Sequence, residues 1–263
     1  MTYGRGRRPQ TPDGRDWHID KLKARIAAGT SVPIQWNAEK ILNQGENGTC
    51  VSAGILGACD SDDANHVLSK FGDADIVPFF LKIANHGDLP DGGAEVRDGL
   101  KAAKDAGYID AYAAITNNDD LDDWLDKYGP VVCGTPWSDA MMNPAGDLVV
   151  VDTTNTTEGH CYRMEGMDAG YRKFAQSWGT GWGVAGLFRM SRSDFTMLWN
   201  AGGEAWAITQ AAPNPTPPNP TPPAPPPGPA PVPSNIVPTV IRILKAVETA
   251  IGKAVKDLEE LLG

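Results

Sequence analysis

The sequence predicts an α+β protein whose main domain has two lobes, one helical and one built of strands. Three observations carry this. Helical patterns fill the first half of the chain, at 20–28, 50–60, 76–86, 95–107 and 119–127. From Gly129 onward the signal changes to short apolar and alternating runs: "PVVCGTPW", "DLVVVD", "GHCYRMEGMD", "KFAQSWG", "GLFRMS" and "EAWAIT". Helices first and strands later is the pattern of two segregated layers rather than of an alternating parallel sheet. Near residue 211 the composition then breaks sharply.

Each element follows from its residues. "SDD" and "NNDDLDD" place acidic capping groups at two helix starts, where they satisfy free N–H groups and oppose the helix dipole. The acidic run 119–126 reads as a solvated helix start rather than a cation site. From Pro213 to Pro233 more than half the residues are proline. Such a stretch is extended, because proline fixes φ and lacks a donor, and it spans up to roughly 65 Å. Beyond it, apolar residues recur in steps of three and four at Val237, Val240, Leu244, Val247, Ile251, Ala254, Leu258 and Leu261. That is a heptad seam. A lone helix of this length is marginal in water, so it wants a partner. Self-association or docking to another protein is expected through 239–263. The predicted organisation is an N-terminal extension at 1–31, the main domain at 32–211, a Pro-rich linker at 212–238 and an amphipathic helix at 239–263.

Composition narrows the function. The net charge is −10, which disfavours nucleic acid because phosphate contacts need clustered Lys and Arg. The exception is "GRGRRP" at 4–9, with three arginines in the first eight residues, which reads as a free basic terminus. No apolar run is long enough to span a bilayer and no secretory signal is visible, so a cytoplasmic address is the default. Association with a virion, or release by lysis, would leave no signal to read. Four cysteines in 263 residues make no disulfide scaffold. Cys59, Cys133 and Cys161 read as small buried apolar residues. No metal-ligand spacing accompanies Cys161 and His160, and no cofactor is expected.

Three blocks carry the chemistry: Gln44-Gly45-Glu46-Asn47-Gly48-Thr49-Cys50, then Glu158-Gly159-His160-Cys161-Tyr162, then Gln176-Ser177-Trp178-Gly179-Thr180-Gly181-Trp182-Gly183. Gln44 stands six residues before Cys50, and Gln176 stands sixteen after His160. A thiol at a helix start is stabilised as thiolate, and an imidazole beside it can take and return a proton.

Over residues 32–210 these blocks resemble the papain-like cysteine peptidases, in the manner of bacterial and viral-type members. The resemblance implies a two-lobe fold, one lobe helical and one an antiparallel, barrel-like sheet, with the active site between them. It implies Cys50 as nucleophile, His160 as its base and Gln176 as the group that orients the imidazole. Gln44 and the Cys50 N–H would bind the oxyanion, Trp178 would shield the His160 pair, and Gly92 and Gly93 would bind an extended peptide or protein substrate. Where the family has Asn, this chain has Gln176, whose extra methylene must fold back to reach His160. The family's cysteine pairing is absent at Asn47 and near Pro90. Only about 32 residues precede the motif region, too few for the family's long inhibitory propeptide, so no conventional zymogen is expected. The alternative is a weakly active or inactive relative that binds rather than cleaves.

Overall fold

A computed structural model describes residues 3–10, 13, 14, 16–24, 36, 40–61, 71–156, 158–210, 245, 248, 249 and 252. The chain divides into two compact units, Met1–Pro213 and Asn214–Gly263. The Pro-rich linker, and all but four residues of the heptad segment, lie outside the described residues. Of those four, Thr249 donates its hydroxyl to the Lys245 carbonyl at 2.8 Å, one helical turn back.

The first unit runs α1 (Ile19–Lys23), α2 (Cys50–Cys59), α3 (Asp73–Phe80), α4 (Val96–Asp105), β1 (Ile109–Ile115), α5 (Asn118–Lys127), β2 (Val131–Trp137), a 3-10 turn (Asp139–Met142), β3 (Glu158–Met167), β4 (Tyr171–Ala175), β5 (Leu187–Ser191), α6 (Arg192–Asn200) and β6 (Glu204–Gln210). Among the described residues six strands form one antiparallel sheet in the order β1-β6-β2-β3-β4-β5. The expected barrel-like lobe is therefore an open sheet. β1 and β5 are its two edges and do not meet.

Two apolar clusters flank this sheet. One gathers α2, α3 and α4 around Val51, Ile55, Phe79, Phe80, Val96 and Leu100. The other gathers α1, α5 and α6 around an aromatic group of Trp124, Trp137, Trp178, Trp182, Phe174, Phe188 and Phe195. Helix α2 is buried along all ten residues, as a helix apolar on every side must be. Its glycines set how closely it approaches β3. A Cβ on Gly54 would stand 2.8 Å from Cys161 Sγ, and one on Gly57 would stand 2.6 Å from an Arg163 nitrogen. Only a bare backbone lets the helix lie this near the strand, and this proximity carries Cys50 to the segment that bears His160.

Several expected elements differ. The run at 147–152 is not a strand; it is held to β5 by a bridge from Leu148 to Arg189. The helix expected at 76–86 begins three residues earlier. The Asp75 carboxylate accepts the Gly72 N–H at 2.8 Å and starts a turn there. Three acids of α5 are paired: Asp120 and Asp123 with Lys23, and Asp122 with Arg172 and Arg192. Among the described residues no helix is long and apolar enough to cross a membrane.

Candidate active site

Cys50 is the first residue of α2 and is fully buried. The backbone N–H groups of Cys161, Gly6 and Val51 favour the ionised form of its thiol. Cys161, the residue after His160, lies against Gly54 of α2, so the Cys50 thiol and the imidazole stand on facing elements. His160 lies in β3, paired with Thr135 of β2. Its Nε2 donates to Gln176 Oε1 at 2.5 Å. The other ring nitrogen, Nδ1, is buried and has no hydrogen-bond partner among the described residues. The ring is stacked on Trp178, with centroids 4.3 Å apart at 22°, and Trp137 meets it edge-on at 5.3 Å. Both tryptophans are buried and close the His160–Gln176 bond off from water.

Gln176 reaches the imidazole by folding back on its own backbone: the same Oε1 also accepts the Ser177 N–H at 3.2 Å. The extra methylene is absorbed by this curl. The consequence is a buried Nε2 left without a partner among the described residues, an arrangement that costs about 1–3 kcal/mol.

Gln44 is buried and doubly fixed. Its Oε1 accepts the Ser177 hydroxyl at 2.6 Å, and its Nε2 donates to the Asn47 carbonyl at 2.8 Å. The main chain around it is stitched to the segment after Gln176: Gln44 N–H donates to Ser177 O at 2.8 Å, and Gly179 N–H to Leu42 O at 3.0 Å. The segment that holds Gln44 and the one that follows Gln176 are thus joined backbone to backbone.

The space beside Gln44, Ala94, Gly159 and Trp178 is filled by residues 3–9 of the same chain. Here the basic N-terminus departs from expectation, because it is not a free tip. Gly4 donates to Gly45 O at 3.1 Å, Arg7 to Gly159 O at 3.0 Å and Arg8 to Ala94 O at 2.8 Å, while Ala94 donates to Gly6 O at 2.8 Å. Arg7 and Ala94 form a parallel bridge. The Gly4 carbonyl accepts both the Gln44 Nε2 amide and the Trp178 indole N–H, each at 3.1 Å. Tyr3 stacks on the far face of the same site, 5.1 Å from Trp178. Arg5 pairs with Asp139 at 2.8 Å and Glu158 at 2.6 Å, and Arg7 is buried against Glu204. Beside this strap remains a groove of about 420 Å3 lined by Asp91, Gly92, Gly93, Pro136, Thr156 and Glu158.

Gly92 and Gly93 thus border the cleft, both with positive φ, at +59° and +93°. The ladder to the bound segment, however, runs through Ala94, one residue farther on. The Gly93 N–H is turned inward to the Gly48 carbonyl at 2.9 Å. Ala94, Trp137 and Glu204 were not anticipated from the sequence. The signal for Trp137 was present in the apolar "PVVCGTPW" run, whereas nothing local marks Ala94 or Glu204.

Burial decides the protonation of the covered site. It pushes the Cys50 thiol up to about 11, against the pull of the Cys161, Gly6 and Val51 N–H groups and of the Arg7 charge. It pushes His160 down to about 3, with the Arg5 charge acting the same way and the Gln176 bond opposing. At neutral pH burial therefore favours a neutral thiol and a neutral imidazole in the covered site, not the stabilised thiolate expected at a helix start. Cys59, Cys133 and Cys161 are buried, as the sequence leads one to expect.

No protein-family model and no curated protein sequence matches the chain. Solved structures do. Xylellain, a cysteine protease from Xylella fastidiosa, superposes with a TM-score of 0.61 at 17% identity, over 80% of this chain and 97% of that one. The fold is that of the papain-like cysteine proteases. Procathepsin L2 from Tenebrio molitor larval midgut gives 0.57 at 18% identity, over 79% of this chain and 78% of that one. Bromelain from Ananas comosus, solved with the inhibitor E64, gives 0.53 at 16% identity, over 68% of this chain and all of that one. At these identities the likeness establishes the architecture, and the chemistry has to be argued from the residues.

Proposed function

We propose that the chain is a cysteine peptidase held latent by its own N-terminal strap. The observation that carries this reading is a peptide carbonyl, that of Gly4, already seated on the Gln44 amide in the site that contains the Cys50 thiol and the unpartnered His160 Nδ1.

With the strap displaced, water and substrate enter and the burial that keeps both groups neutral is relieved. The Cys50 proton passes to His160 Nδ1 while Gln176 holds the opposite nitrogen. The thiolate sulfur attacks the scissile carbonyl carbon, and the carbonyl π pair moves onto oxygen. The Gln44 amide and the Cys50 N–H stabilise that oxyanion, a contribution of about 3 kcal/mol for one such donor. Collapse breaks the C–N bond, and His160 returns its proton to the leaving amine. Water, deprotonated by the neutral imidazole, then hydrolyses the thioester and restores the thiol. Trp178 and Trp137 keep the His160–Gln176 bond dry throughout. The substrates are peptides or proteins. The linker at 212–238 and the helix at 239–263 would tether or oligomerise the enzyme, in keeping with a bacterial- or viral-type protein carried on a particle.

The test is cleavage of a peptide library by the reduced full-length protein carrying Gly4→Val, in which the strap cannot seat because a Cβ there would fall on the Asn47 carbonyl, with labelling by E64, the inhibitor held by bromelain, read by mass. Cleavage and a label on Cys50, both lost in Cys50→Ala and the cleavage lost in His160→Ala, are expected. Cleavage that persists in Cys50→Ala would overturn the reading. So would a complete lack of cleavage by protein whose Cys50 demonstrably reacts with iodoacetamide, a result that would favour an inactive binding module.

A further inference from the structure

The strap is an internal peptide ligand, and the manner in which its one fully engulfed side chain is held speaks to what the cleft is built to bind. Arg7 follows Gly6, whose α-carbon is packed against the Gly48 backbone two residues before Cys50, so the Arg7 side chain enters a subsite beside the turn that carries the thiol. There its Nε and one terminal nitrogen each lie 2.8 Å from Glu204 Oε1, and that terminal nitrogen donates to the Gly202 carbonyl at 2.9 Å. The two side chains are 3% and 5% exposed, so this pair is shielded from salt and solvent, where a charge-assisted hydrogen bond is strongest.

The receptor half of the pair is built independently of the strap. Glu204 begins β6, directly opposite Gly134 of β2. Its second oxygen, Oε2, accepts the Trp206 indole N–H at 2.8 Å, which fixes the carboxylate and leaves Oε1 for the ligand. Two glycines make the room. A Cβ on Gly134 would stand 2.9 Å from Glu204 Oε1 and 3.1 Å from Arg7 Nε, and one on Gly159 would stand 2.8 Å from Arg7 Cδ. Val96 supplies an apolar wall, its methyl 2.9 Å from that same Gly134 position, against which the methylene stem of an arginine can lie. The Ala94 main chain grips the residues on either side through bonds that any peptide could make. Backbone contacts hold a peptide of any sequence, whereas the buried carboxylate accepts only a side chain that can donate to it.

We propose that Glu204, with Gly134, Gly159 and the Gly202 carbonyl, forms a guanidinium-specific subsite, and that the enzyme's substrates are peptides carrying arginine there, a position the strap's Arg7 occupies in the resting protein. The proposal rests on reading the cleft as a peptidase site. A neutral or apolar residue in the subsite would leave Glu204 Oε1 buried and unpaired. Lysine would offer a point charge in place of the planar fork that reaches Glu204 and Gly202 together.

Two measurements on the full-length chain test it and separate its failure from that of the peptidase reading. In Arg7→Ala the subsite is emptied without shortening the chain. Millimolar ethylguanidinium is expected to raise the melting temperature of Arg7→Ala more than that of the wild type. Ethylammonium should do less, and the effect should vanish in Arg7→Ala/Glu204→Gln, which keeps an acceptor for Trp206. This readout needs no catalysis. In the second, Arg7→Ala is offered a positional-scanning peptide library. One position before the cleaved bond is expected to favour arginine over leucine by roughly tenfold to a hundredfold, the span of one charge-assisted hydrogen bond, and Glu204→Gln should erase the preference. Ethylguanidinium rescue without cleavage of any pool would retain the subsite and refute the peptidase. Cleavage without arginine preference, or a preference indifferent to Glu204→Gln, would refute the subsite and retain the peptidase. Equal stabilisation of wild type and Arg7→Ala by ethylguanidinium would also refute it.

Discussion

Gly4→Val should uncover the thiol. The Gly4 α-carbon is packed against the backbone of Glu46 and Asn47, and any Cβ there would fall inside the Asn47 carbonyl oxygen. Backbone on both sides cannot yield as a flexible side chain would, so the strap has to lift at this residue. Lifting breaks three hydrogen bonds: Gly4 N–H to Gly45 O, and the Gly4 carbonyl with the Gln44 amide and with the Trp178 indole. At about 1 kcal/mol net for each, the covered state loses about 3 kcal/mol. The open fraction then rises roughly a hundredfold to two hundredfold. The assay is the rate of iodoacetamide capture of Cys50 at neutral pH, followed by mass spectrometry of the peptide that contains it. Cys133, buried in β2, serves as the internal clock for global unfolding. Capture of Cys50 should accelerate by that factor while Cys133 stays slow. An unchanged Cys50 rate would refute the idea that the strap guards the thiol. Parallel acceleration of both cysteines would show that the substitution merely loosened the fold.

Two further expectations concern the imidazole. Gln176→Ala in the Gly4→Val background should lower kcat/KM about fivefold to tenfold, the cost of a lost neutral hydrogen bond to His160; no change would exclude Gln176 as its orienting group. The second concerns pH. The covered state holds His160 near 3, below its ordinary 6.5, so an unfolded or opened chain binds the proton first as pH falls. Stability contributed by the neutral ring is complete above pH 6.5 and declines by up to about 1.4 kcal/mol per unit below it, about 2 kcal/mol by pH 5. Glu204, which burial raises, acts in the opposite direction, and the strap's own Arg5 and Arg7 pair there with Asp139, Glu158 and Glu204. The diagnostic quantity is therefore the difference between the wild type and His160→Gln in urea unfolding, which should shrink steadily from pH 6.5 to pH 5.

Much of the site was legible because its members carry their own local signatures. Cys50 follows a glycine-spaced turn and opens an apolar run, and Trp178 and Trp182 sit in a glycine-punctuated block that few other structures would use. The elements missed had weak signals. β1 alternates correctly, with Ile109, Ala111, Ala113 and Ile115 inward, but alanine lends a strand little propensity. α6 mixes Ser, Asp, Phe, Thr, Trp and Asn, middling to poor helix formers, although Ser191 does cap it by accepting the Asp194 N–H at 3.0 Å. The strap was illegible for a different reason. Arg5 and Arg7 look like a solvated charge cluster until Asp139, Glu158 and Glu204 are brought to them from over 130 residues away. No pattern within the first nine positions encodes that meeting, which only the folded sheet creates.

The bonds that tie residues 42–44 to 177–179 have a mechanical consequence. They run main chain to main chain, so the floor of the cleft cannot gape without tearing them. Access must be gained at the roof: a short peptide peels off a scaffold that stays still. Regulation would then be an exchange of one ribbon for another on an unmoving bed, and the partner that sets it free need only compete for seven residues.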